Sequence, residues 1–197
     1  MDKKTPSIPQ KAEEFKLPTL QELFSDDIEL AGKSEGLNAI LNTLPPEKWI
    51  KQHPVIRGHR YLPIDKIEYL LKKIFKRYDI AITGQGTAFN GVWVTVRISY
   101  FNPATNGMCF VDGIGASQMQ TAKGTSPADL NNINHGAISM AFPLAKTLAI
   151  KDAAHCIGNI FGANLDRQDT VKWEPDIEIL SREEKRKKLL KENGINP

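Results

Sequence analysis

A chain of 197 residues with 41% apolar content can bury one ordinary core flanked by polar ends. Its net charge of +3 excludes a strongly acidic or strongly basic protein, so a nucleic-acid partner requires its Lys and Arg residues to gather on one face. No apolar stretch approaches the ~18 uncharged residues of a membrane span, because Lys146, Lys151 and Asp152 interrupt the longest candidates, and no membrane partner is expected. Cys109 and Cys156 lie in apolar runs without metal-ligand spacing, and no secretory leader opens the chain; both features point to a reducing, cytoplasmic setting.

Residues 1–19 mix prolines and charges with few aliphatic side chains and read as a flexible arm, followed by a short helix over 20–31. A core domain over 20–175 and a charged C-terminal helix or tail over 176–197 complete the expected division. In "LPIDKIEYLLKKIFKRYD", Ile64, Ile67, Leu70, Leu71, Ile74 and Phe75 recur at helical spacing after Pro63, and Lys66, Lys72, Lys73, Lys76 and Arg77 fall on the opposite face. Three runs rich in β-branched and aromatic residues follow: "YDIAITG", "GVWVTVRISYF" and "GMCFVDGIGAS". The linkers "QGTAFN" and "NPATNG" separate them, and the second linker predicts an antiparallel hairpin. In the middle strand Val92, Val94, Val96 and Ile98 alternate with Trp93, Thr95, Arg97 and Ser99, which gives one apolar face that needs a cover.

The segment from about Pro127 to Phe161 is the expected cover, packing through Ile138, Met140, Ala141, Leu144, Ala145, Leu148, Ala149, Ala153 and Ile157. Pro143 predicts a kink or break near residues 139–143. Lys151 and His155 stand one turn apart before "GNIFG", on one stripe where they could act on one ligand or form a solvated edge. Gly158, Asn159 and Gly162 read as structural, since both residue types tolerate the left-handed conformation that ends a helix. "SREEKRKKLLKENG" predicts an exposed helix capped by Ser181 and ending at Gly194, its bases forming a solvated face. The fold class is therefore α+β, a three-stranded antiparallel meander packed against a long helix with flanking helices.

Three segments, in order, carry a resemblance. "IRGHRYLPIDKIEYLLKKIF", "GVWVTVRISYF" with "DGIGASQ", and "IKDAAHCIGNIFG" together resemble the Rad-fifty-two family of single-strand annealing proteins, phage-encoded members included, over roughly residues 45–168. The resemblance implies a β-β-β-α core assembled into a ring or helical homo-oligomer. It implies a basic groove holding single-stranded DNA by its phosphates, and ATP-independent annealing to a complementary strand in recombination and repair, without cofactor or catalytic group. An exonuclease or a recombinase is a candidate further partner. The lack of a G-x-x-x-x-G-K-[ST] phosphate loop is consistent with that chemistry.

By position the resemblance places Lys151 on the family's main DNA-contacting lysine and His155 where the family commonly has arginine. Asp152 departs from a usual base and is expected to face away or to pair with a base of a neighbouring subunit. Lys51, His53, Arg57 and Arg60, in the lead-in to the first core helix, are candidates for another side of the groove. Gly58-His59-Arg60 reads equally as a turn with a hydrogen-bonded histidine. Lys123 resembles a lysine of an outer DNA site, and Arg167 holds a similar basic place after "GANLD". Two other classes stay open. One is a metal-dependent nuclease using Asp112, Asp129, Asp152, His135 and His155; the other is a monomeric RNA-binding or protein-interaction module.

Overall fold

The computed structural model describes residues 27–192 apart from residue 55 and residues 127–129. The expected N-terminal arm, residues 20–26, Asp129 and the chain beyond 192 lie outside the described residues.

Helix α1 (Ile28–Leu41) begins at Asp27, whose carboxylate accepts from the Leu30 N–H at 2.9 Å. It runs ten residues past the expected end at 31, through Gly32, Ser34 and Gly36. Those weak helix formers are outweighed by the burial of Ala31, Glu35 and Leu41. A short hairpin, β1 (Lys51–Gln52) with β2 (Arg60–Tyr61), leads into helix α2 (Ile64–Phe75), which buries Ile67, Leu70, Leu71 and Phe75 as the periodicity predicts.

Strands β3 (Tyr78–Ala88), β4 (Gly91–Asn102) and β5 (Gly107–Gln118) form an antiparallel sheet in the order β3-β4-β5. The β4–β5 hairpin turns over "NPATNG" as expected. The first strand is longer than the sequence reading: it continues through Gln85–Ala88 after an irregularity between Ile82 and Gly84. Gly84 and Gly86 are not breakers there. A Cβ on Gly86 would meet the Trp93 ring at 2.8 Å, so the absence of side chains lets the indole lie across β3. The two-residue turn that closes this hairpin places Phe89 at φ 52, a conformation costing a bulky residue on the order of 1–3 kcal/mol.

Val92, Val94, Val96 and Ile98 are fully buried beneath helix α3 (Ala137–His155). Five of the nine expected covering residues take that role, Ile157 being partly buried against the core. Ala141, Ala145, Ala149 and Ala153 pack on the sheet, while Ile138, Met140, Leu144 and Leu148 remain exposed. Gly113 and Gly115 explain this: a Cβ on either would collide with the α3 backbone at Ala145, Ala149 and Ala153. At that approach only alanine fits between helix and strand. Pro143 does not break the helix, which is continuous through it. The carbonyl deprived of an intrahelical partner is that of Ser139, and both residues lie on the exposed side.

Helix α4 (Ile177–Glu192) starts earlier than expected, with the Asp176 carboxylate accepting from the Ile179 N–H at 3.2 Å; Ser181 lies inside it. One face docks on α1 instead of standing free. Ile179 is buried, Glu35 accepts from the Asp176 N–H at 2.7 Å, and Arg186 meets Glu29 at 2.7 Å. Lys185, Lys187, Lys188 and Lys191 remain on the outside. Among the described residues no helix is long and apolar enough to cross a membrane.

The close contact generates a paired test by urea unfolding. Gly113→Ala is expected to lower stability by about 3 kcal/mol, because rigid backbone must move. Gly36→Ala, in α1 with open space around its Cβ position, is expected to raise it by about 0.5–1 kcal/mol.

Candidate nucleic-acid interface

The tight seating of α3 on β5 holds the last two turns of the helix against that edge strand. There they face the β1–β2 hairpin and the segment following Gly162 across a cleft of about 1050 Å³. Lys151, Asp152 and His155 line it from α3; His53, Arg60 and Tyr61 line it from the hairpin and its approach. Arg167 closes one side. The remaining wall is apolar, formed by Ile114 and Ala116 of β5 with Leu144 and Leu148 of α3.

Lys151 is half-buried, and its Nζ lies 4.6 Å from the centroid of the Tyr61 ring. Burial pushes its pKa below the usual lysine range. His155 is also shifted down. Burial is the main cause and the Lys151 charge adds to it, against an opposing pull from Asp152 and the Phe161 backbone. The net effect favours the neutral imidazole.

Asp152 does not face away. It lines the cleft, and its Oδ2 accepts from the Ile114 N–H at 3.0 Å, because an outward N–H on an edge strand needs an acceptor. The hairpin is held by Asp166, whose two oxygens accept from the Arg60 N–H at 2.9 and 3.1 Å and whose Oδ2 lies 2.7 Å from His59 Nδ1. Burial alone would raise the Asp166 pKa; the Arg60 amide and His59 outweigh it, and the net shift is downward. The Arg60 guanidinium donates to the Leu165 carbonyl. Gly58-His59-Arg60 is thus a turn with a hydrogen-bonded histidine, Gly58 having φ 78, and Arg60 still lines the cleft.

Five of the eight expected contacts therefore share one cleft: Lys151, His155, His53, Arg60 and Arg167. Three do not line it. Lys51 stands opposite Tyr61 in the β1–β2 register, Arg57 is exposed just before Gly58, and Lys123 is exposed in the loop after β5. Tyr61, Asp166 and the Leu144–Leu148 wall carry no motif in the sequence; the exposed leucines read there as core.

The carboxylates and histidines weighed for a nuclease are dispersed. Asp112 forms a two-point pair with Arg97 on the opposite face of the sheet, at 2.7 and 2.8 Å, and His135 is exposed before α3. Asp152 and His155 sit in the cleft, and among the described residues no three His, Cys, Asp or Glu side chains gather as a metal site. Gly162 has the left-handed φ of 93, whereas Gly158 is extended and is required by its close approach to Leu41.

A histidine whose folded pKa is depressed destabilises the fold as the pH drops, since the unfolded chain binds the proton more readily. The urea midpoint is expected to fall between pH 7 and pH 5, and His155→Gln is expected to remove part of that fall. An identical pH profile in the variant would show that His155 does not titrate in a buried setting.

No family model matches the chain, and no curated protein matches it.

Proposed function

We propose that the protein binds single-stranded DNA along this cleft and anneals it to a complementary strand without nucleotide hydrolysis, acting as a homo-oligomer. The observation that carries the reading is the lining of the site: one stripe of α3 runs from Leu144 and Leu148 to Lys151, beside Ile114, and shares the cleft with Arg60 and Arg167. A ligand matching this lining carries anionic and apolar groups together, as a single strand does with its phosphates and bases. The two acids in the cleft are each held by a backbone N–H, which moderates their repulsion of a phosphate.

Association of copies is supported by the sheet. Both outer strands, β3 and β5, are edges, and Ile82 on β3 is left exposed beyond the reach of α3. Head-to-tail contact between unlike edges would extend one short cleft into a continuous groove, closing as a ring or continuing as a helix.

The test is a salt titration of binding to homopolymer and mixed-sequence strands, with particle size followed by light scattering. Affinity is expected to be independent of sequence and to fall as salt rises. Lys151→Ala is expected to weaken binding several-fold and to reduce the salt slope by about 1 while leaving the particle intact. Lys151→Arg should be milder, and His155→Arg should strengthen binding. A monomer with and without DNA, or an affinity indifferent to salt, would overturn the reading.

A further inference from the structure

Phe89 is unfavourable where it stands on two independent counts. It occupies the first position of a two-residue β-hairpin turn with φ 52, where glycine is the residue that fits without strain. Its side chain is also 91% exposed, so no packing within the chain offsets the strain or the hydration of the ring. Folding alone therefore gives no reason for a phenylalanine at this tip. A bound partner that covers the ring would.

The position of the tip relates it to the cleft. Ala116 belongs to the apolar wall of the cleft; two residues further along β5, about 7 Å, Gln118 pairs with Gly91 at the base of the turn. The Met119 N–H donates to the Asn90 carbonyl at 2.7 Å, fixing the turn against the end of β5. The hairpin tip thus stands at the end of β5 that runs on from the apolar lining of the cleft, two residues beyond Gly91, on the side by which a strand held in the cleft would leave along β5.

We propose that Phe89 is a stacking platform for a nucleobase of the bound single strand as it leaves the cleft. The inference rests on the single-strand reading of the cleft and adds a base contact outside it. Every base offers a π-face to a phenyl ring, so the contact is tolerant of sequence, and it displaces no counterion. It therefore differs from Lys151 in the quantity it changes: affinity at every salt concentration, with the salt slope preserved.

The experiment compares Phe89→Gly, Phe89→Trp and the unchanged protein on an oligothymidylate, measuring affinity across a salt series, thermal midpoint and particle size. Phe89→Gly is expected to raise the thermal midpoint, since glycine relieves the strained turn. It is also expected to weaken binding by roughly ten-fold at unchanged salt slope and particle size. Phe89→Trp is expected to bind at least as well as the unchanged protein. Equal affinity in Phe89→Gly would overturn the inference and leave the cleft reading standing. A smaller particle in Phe89→Gly would also overturn it, by showing that the ring is covered by a second copy of the chain. If the unchanged protein bound no single strand, both readings would fall together.

Discussion

The contact between two glycines of β5 and the backbone of α3 fixes nearly everything else. Because Gly113 and Gly115 have no side chains, the helix lies directly on the strand, and alanines at every fourth position suffice to fill the gap. Two consequences follow. Leu144 and Leu148, the larger apolar residues of the same helix, cannot fit underneath and are turned outward. The end of the helix is also held beside the edge of β5, which lets Asp152 take the Ile114 N–H and sets Lys151 beneath the Tyr61 ring.

The cleft is thus a by-product of close packing completed by the hairpin. Asp166 ties β2 to the segment after α3 through the Arg60 amide and His59, so the wall opposite Lys151 depends on one carboxylate. Formal charges nearly balance in the cleft: Lys151, Arg60 and Arg167 face Asp152 and Asp166. On the proposed reading, an anion would be favoured there less by net charge than by desolvation. The Lys151 ammonium is half-buried and shifted toward its neutral form by burial, and an entering phosphate would give it a charge partner.

The legible parts of the sequence were those written in strict periodicity. Alternation of valines with polar residues specified β4 and its buried face, and helical spacing specified α2. Where glycine acts through space instead of through a turn, sequence reading went astray. Gly86, in "QGTAFN", suggested a loop but with Gly84 makes room for Trp93, and Gly113 and Gly115 determine which face of α3 is buried without any sign in α3 itself. Lys151, His155, His53, Arg60 and Arg167, which the structure brings to one cleft, were candidates through the resemblance, and Lys151 and His155 also through their spacing of one turn. Their grouping depends on contacts about a hundred residues apart in sequence, such as Arg60 with Asp166, which no local pattern encodes. Helix α4 was misplaced at its start for the same reason: Glu35, far back in α1, receives the amide of its capping residue.

The most direct measurement is amide hydrogen exchange of the whole protein with and without a single-stranded oligonucleotide. If the strand lies in the cleft, slowed exchange is expected together in the β1–β2 hairpin, the Ile114–Gln118 stretch of β5, the last turns of α3 and the segment around Arg167. Protection confined to the lysine-bearing outer faces of α2 and α4, with those four segments unchanged, would contradict it.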